Sequence, residues 1–185
     1  INRNPIFIFG ANFGPFKDKT FAQAYEKLFA AANDVCFRDQ ASYDLFAQLP
    51  TVRQAADIVF QYEANVQLTG SKEGKNLFIS VIYPSIRPHL RRYDQAYFQQ
   101  IAQLARELLV KGYKVTLLAA CKEEDDHQAI LAIIREMPAD LRKKIRKVIY
   151  EGNLSTSIDI IAWADLVIAS RFHAMIVGLL FEKHV

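Results

Sequence analysis

Along residues 77 to 185, short apolar runs alternate with stretches in which apolar residues return every three or four positions. NLFISVIY is almost continuously apolar and predicts a strand buried on both faces. In YDQAYFQQIAQLARELLVKG, Tyr97, Ile101, Leu104, Ala105 and Leu108 share one helical face, and Gly112 is placed to end the helix. YKVTLLAA predicts a second strand, and DDHQAILAIIREMP a helix starting at Asp125 or Asp126 and ending before Pro138. RKVIY predicts a third strand, followed by the helix STSIDIIAWA, in which Thr156 and Asp159 have capping-box spacing. DLVIAS and a last helix make the fourth pair, with Phe172, Met175, Ile176, Leu179 and Leu180 expected in the core.

Four strand-then-helix units in succession imply a parallel sheet with helices on its faces, the α/β class. Ligands of such sheets sit beyond the carboxyl ends of the strands, near helix N-termini. Residues 1 to 66 repeat the rhythm in shorter form. The strand PIFIFG, the turn GANFGPF, the helix KTFAQAYEKLFAAA, the strand DVCF and the helix DQASYDLFAQL precede the apolar run ADIVF. The polar stretch around Gly70 and Gly74, residues 67 to 76, is read as the connection between two lobes, with 77 to 185 as the second. The chain opens on Ile1 and closes on FEKHV just after a helical pattern, so it is expected to be an internal piece of a longer protein.

Composition narrows the class without naming a reaction. The chain has 185 residues, 51% hydrophobic and 23% charged, which excludes a disordered protein. A net charge of +3 slightly favours anionic ligands and is no argument for nucleic acid. Cys36 and Cys121 form neither a disulfide framework nor a zinc spacing, and a cytoplasmic setting is expected. No apolar run approaches the length of a membrane span.

The candidate chemistry lies where strands end. Arg171 and His173 stand between DLVIAS and the helix after it, where backbone N–H groups and the positive end of a helix dipole would join a guanidinium and an imidazole around an anion. The structural alternative is an Arg171 paired with a nearby carboxylate. Arg38 has the same placement after DVCF, with Asp39 set to cap the next helix; its alternative is a surface pair with Asp39 or Asp44. Arg38 and Arg171 are expected to converge from opposite walls of a cleft. In YPSIRPHLRRYD, Arg87, His89, Arg91 and Arg92 follow the strand NLFISVIY, on a loop that Pro84 and Pro88 should hold extended. Arg87 there could meet a phosphate or an acceptor.

GANFGPF matches neither the P-loop nor the G-x-G-x-x-G spacing and reads equally as a tight turn beside a ligand or a turn with none, while the acids of CKEEDDHQ read as helix-start charges. RKKIRK, residues 142 to 147, reads as a solvated face, or else as an approach to an anionic membrane surface.

GANFGP, CFRDQASYDLF, ADIVF and ADLVIASRFHAMIVGLL together resemble the polysaccharide pyruvyl transferase family in order and separation, across nearly the whole chain. The resemblance implies two Rossmann-like lobes with parallel sheets around a cleft, a glycosyltransferase-B-like fold. It implies transfer of a pyruvyl group from phosphoenolpyruvate to two sugar hydroxyls as a ketal, in exopolysaccharide or cell-surface glycan biosynthesis. The acceptor would be a saccharide or a lipid-linked oligosaccharide, and the expected location is the cytoplasm, with association at the inner face of the membrane as the alternative that RKKIRK leaves open. Carried over by motif, Arg171 and His173 bind the donor's phosphate and carboxylate, Arg38 joins from the first lobe, and His173 is the catalytic candidate. The scheme requires no metal or cofactor; phosphoenolpyruvate is the donor substrate. The family's proposed general acid/base histidine precedes the arginine motif, and no histidine precedes Arg38, the four being His89, His127, His173 and His184. That residue is expected upstream of these residues or is absent from this member. The rival readings are a nucleotide-sugar glycosyltransferase of the same fold and a catalytically degenerate member that only binds.

Overall fold

The computed structural model describes residues 4–63 and 75–185. It is mixed α/β, with two sheets of parallel strands, and the chain divides into two compact units, Ile1–Glu63 and Ala64–Val185. Most of the polar stretch read as the connection, with Gly70 and Gly74, lies outside the described residues; its last two residues, Lys75 and Asn76, already belong to a strand.

In the first unit, strands β1 (Phe7–Ala11), β2 (Asp34–Phe37) and β3 (Val52–Gln54) lie side by side in that order, all parallel. Helix α1 (Lys19–Ala31) starts at Asp18, whose side chain accepts from the Thr20 N–H at 2.9 Å, and buries Phe29 among Val35, Phe37 and Phe46. The GANFGPF turn drops Phe13 into this aromatic core, its ring 4.9 Å from Phe46 and 5.2 Å from Tyr25. Gly10 and Gly14, at φ of +65° and +119°, supply the backbone geometry that side-chain-bearing residues resist. That loop therefore packs a core residue.

Two elements differ from expectation. Helix α2 (Gln40–Asp44) is only five residues long, although Asp39 does cap it, accepting from the Ser42 N–H at 2.8 Å. The following residues run through tight turns that swing Phe46 inward. The third strand is VRQ, which carries one buried apolar residue and so gives no pattern to read, while ADIVF forms a single 3-10 turn, Ile58–Gln61.

In the second unit, β4 (Lys75–Val81), β5 (Tyr113–Ala119), β6 (Arg146–Ile149) and β7 (Leu166–Ala169) form a parallel sheet in the order β6-β5-β4-β7. Helices α3 (Asp94–Val110) and α4 (Asp126–Arg135) cover the face bearing Leu77, Ile79, Val115 and Leu117. After the short helix α5 (Ala139–Arg142), helices α6 (Leu154–Ala162) and α7 (Phe172–Leu180) cover the face bearing Phe78, Leu118 and Val167. β4 lies between β5 and β7 and is buried from Leu77 through Val81, which is why its sequence does not alternate.

The details correct several local expectations. α6 is capped by Asn153, which accepts from the Thr156 N–H, so no Thr156–Asp159 capping box forms. α7 buries Ala174, Ile176 and Gly178, while Phe172 and Leu179 are each 49% exposed. Gly178 passes so close to β7 that an added Cβ would lie 3.3 Å from Val167 Cγ1 and 2.8 Å from Val185 Cγ2. Pro84 and Pro88 each start a 3-10 turn, Pro84–Ile86 and Pro88–Tyr93, because a ring-fixed φ also suits a first helical position. In the run 142 to 147 the five basic residues are exposed, as expected of a solvated face, while Ile145 between them is buried and Arg142 donates to the carbonyls of Met137 and Arg135 at 2.8 and 2.9 Å. Among the described residues, no helix is long and apolar enough to cross a membrane.

Candidate functional site

The strand order of the second unit reverses at β4: the chain builds outward through β5 and β6, then returns to place β7 on the other side. A crevice at the carboxyl ends of strands is the usual ligand position at such a switch. Here the ends of β4, β5 and β7 bring together a set of polar side chains.

Ser80, near the end of β4, is wholly buried within the otherwise apolar run Leu77 to Val81. Its hydroxyl oxygen accepts from the N–H groups of Ser170 and Arg171, at 3.1 and 3.2 Å. This pins the start of α7, for which Arg171 is the N-cap residue. Tyr97 of α3 reinforces the same corner: its hydroxyl accepts from the Ile82 N–H at 3.2 Å and shares a 2.9 Å hydrogen bond with the Ser170 hydroxyl. Burial pushes the Tyr97 phenol above its ordinary pKa, and the hydrogen bonds with Ser170 and Ile82 only partly oppose that.

Arg171 is not an open cation. Its Nε donates to Asp126 Oδ2 at 3.0 Å, Nη2 donates to Asp126 Oδ1, and Nη1 donates to Glu124 Oε2 at 2.6 Å. Asp126 is fully buried, a costly place for a carboxylate unless its oxygens are satisfied. Two further donors meet that need, the N–H groups of Ala120 and Cys121 at 3.2 and 2.9 Å. Arg171 thus takes the alternative of an ion pair, with partners 45 and 47 residues away in the chain. Asp126 stands in the first turn of α4, as expected of a helix-start charge, and it and Glu124 also serve as the counter-ions of Arg171.

Arg87 arrives from the 3-10 segment after β4 and places Nη2 3.4 Å from the same Glu124 Oε2, while its Nη1 is buried with no hydrogen-bond partner among the described residues. Two guanidinium groups therefore meet one carboxylate oxygen. The hydrogen bond from Arg171 is the main reason the Glu124 carboxyl lies below the ordinary carboxylate range, with the charge of Arg87 assisting. For Arg171, burial alone would lower the pKa, but hydrogen bonds to Asp126 and Glu124 outweigh it and hold the guanidinium still more firmly protonated. The four charges of Arg87, Arg171, Glu124 and Asp126 cancel.

His173 sits exposed in the first turn of α7, its ring 5.6 Å from that of Phe172. His89, Arg91 and Arg92 are exposed, with Arg92 over the Tyr93 ring.

In the first unit, Arg38 follows β2 as expected but pairs with neither Asp39 nor Asp44. Asp39 spends its oxygens on the N–H and hydroxyl of Ser42, and Asp44 accepts from Gln40. Arg38 instead donates to Asp57 at 2.6 Å and to Asn12 at 3.2 Å. Each unit thus holds its strand-end arginine on a buried aspartate, Asp57 or Asp126.

Sequence reasoning passed over Ser80, Tyr97, Glu124, Asp126 and Asp57. Two signals were available: a serine inside an apolar strand, and four consecutive acids, 123 to 126, more than one helix start can use. Among the described residues, no three His, Cys, Asp or Glu side chains are grouped to hold a metal.

A model of the polysaccharide pyruvyl transferase family matches residues 1–185. The chain is also similar to the amylovoran biosynthesis protein AmsJ of Erwinia amylovora, 22% identical over 200 residues that take in 97% of this chain and 48% of that protein. The chain spans about half the length of this curated relative.

Proposed function

The chain belongs to the polysaccharide pyruvyl transferase family, and from that premise we propose that its second unit carries the donor-binding part of a pyruvyl-transfer site serving exopolysaccharide or cell-surface glycan synthesis. One observation supports the reading above the others: Arg171 and Arg87 converge on a single carboxylate oxygen of Glu124, at 2.6 and 3.4 Å, beside the start of α7. Phosphoenolpyruvate carries both a carboxylate and a phosphate, and either can make the contacts that Glu124 makes. In this reading the donor displaces Glu124 from Arg87 and Arg171 Nη1, while Asp126 keeps the opposite edge of Arg171 in place. Charge-assisted bonds of this kind are the strong ones.

His173, two residues past Arg171, is proposed as the proton donor. Its imidazolium protonates the methylene carbon of phosphoenolpyruvate, leaving a cation at C2. A sugar hydroxyl adds at C2 and returns its proton to the His173 imidazole; a second hydroxyl then displaces phosphate, which leaves carrying that hydroxyl's proton, and the ketal closes. A positioned acid contributes about 10²–10⁴-fold to such a step. Arg38 is proposed as a further donor contact, and a saccharide or lipid-linked oligosaccharide as the acceptor.

Thermal-shift titration tests the donor. Phosphoenolpyruvate should stabilise the chain and nucleotide sugars should not. Arg171→Ala and Arg87→Ala should each weaken binding by about 1–3 kcal/mol, the scale of a charged hydrogen bond. Glu124→Gln should tighten it. The reading fails if phosphoenolpyruvate stabilises neither the wild type nor Glu124→Gln, or if a nucleotide sugar does so in its place.

A further inference from the structure

We propose that the sheet face beside α6 carries a second ligand site, one for a neutral saccharide, separate from the arginine cluster. A cavity of about 290 Å³ opens there, at the lower end of the size range of small-molecule pockets. Its wall on the sheet is the registered row Phe78, Thr116 and Arg146 of β4, β5 and β6. Its wall on the helix is Thr156, Asp159, Ile160 and Trp163.

Those four positions are spaced at i, i+3, i+4 and i+7, a single stripe of one helix. A stripe facing a sheet is normally apolar and closes against it. α6 seals the sheet with a different set, Ile158, Ile161 and Ala162, while its threonine, aspartate and tryptophan line the same cavity as Thr116 and Arg146, with Thr156, Asp159 and Arg146 at the exposed rim and Trp163 half-buried. Among the described residues, the side chains of Thr116, Arg146, Thr156, Asp159 and Trp163 form no hydrogen bond or ion pair with any other. Hydroxyl, guanidinium, carboxylate and indole N–H groups therefore border one space with their bonding capacity unspent.

The chemistry of the lining selects the ligand. One cation and one anion sum to zero, which gives a phosphate or other simple anion no net attraction. A sugar hydroxyl can donate to Asp159 and accept from Arg146 or the Trp163 N–H. The C–H face of a pyranose can lie on an apolar surface such as the indole, which is itself part apolar and part polar. The cavity includes Asn76 at the amino end of β4 and Phe78 at its middle, whereas Ser80 and Arg171 meet at the carboxyl end. Such a site would retain a glycan chain without entering the transfer chemistry, and it does not depend on the identity of the donor.

Trp163 is the chain's single tryptophan, so both its fluorescence and its one indole N–H resonance report on this cavity alone. Titration with lactose, cellobiose and maltose should give a saturable change in both signals for at least one of them. Asp159→Ala and Arg146→Ala should weaken that binding about fivefold or more, and Arg91→Ala, an exposed arginine outside both sites, should leave it unchanged. The proposal is overturned if no disaccharide moves either signal, if inorganic phosphate moves them equally, or if the Asp159 and Arg146 variants bind as the wild type does. Loss of phosphoenolpyruvate binding without any change in these titrations would count against the donor site only.

Discussion

Asp126 grips Arg171 edge-on, its two carboxylate oxygens accepting from Nε and Nη2 of the guanidinium, at a point where the carboxylate is entirely buried. Breaking a buried pair by removing one partner leaves the other charge without compensation, at a cost of about 3–5 kcal/mol. Asp126→Ala should therefore lower stability by that amount, read as a fall in the urea midpoint of the second unit. A change within the error of the measurement would mean that the pair contributes nothing to folding.

Glu124 should behave differently, because its side chain is 34% exposed. Its pairing is partly screened by water, so Glu124→Gln should cost about 1 kcal/mol or less at neutral pH. The pH dependence has a definite sign. Arg171 holds the folded-state pKa of Glu124 below its ordinary value, so the contribution is complete above about pH 4.3 and is lost as pH falls through the lowered folded value. The stability gap between wild type and Glu124→Gln should therefore close in acid, which denaturation at a series of pH values will read.

Tyr97 links three elements through one hydroxyl, and Tyr97→Phe removes its bonds to Ile82 and Ser170. A loss of about 1–2 kcal/mol is expected. Burial also raises the phenol's pKa in the folded state, so the folded chain holds that proton longer than the unfolded chain does. Stability contributed by this group then declines as pH rises past about 10. Tyr97→Phe should lack that share of the alkaline decline, which chemical denaturation across that range measures.

Phe13 anchors the first unit, with rings of Phe16, Phe21, Tyr25, Phe29 and Phe46 around it. Phe13→Ala should cost about 3 kcal/mol through lost contacts and the cavity left behind. Near-ultraviolet circular dichroism should weaken with it. If the aromatic signal and the unfolding midpoint stay unchanged, the loop has a role other than packing.

The α/β rhythm of residues 77 to 185 was legible because β4 from Leu77 and β5 from Leu117 are buried on both faces, and because α3 and α4 each pair an apolar stripe with a polar one. Arg38 and Arg171 were legible too, since a charged residue just after an apolar strand lies at the carboxyl edge of a parallel sheet, and Arg87 was legible as part of the basic loop that follows β4. Their partners were not. Asp126 and Asp57 lie 45 and 19 residues from the arginines they hold, and only the strand order makes them neighbours. β3 was hidden for a related reason: a three-residue strand with one buried side chain has no period to detect. In α7 the helical spacing was right and the phase was wrong, because Gly178, which carries no hydrophobic signal, is the residue that meets β7.

The missing side chain at position 178 has a mechanical reach. A helix is a stiff rod rising about 1.5 Å per residue, so position 178 is a fulcrum roughly 10 Å from the end that carries Arg171 and His173. A methyl group there would press on Val167 and Val185 and tip the rod. The aim of the arginine at the opposite tip is thus set by the one residue small enough to let α7 lie flat.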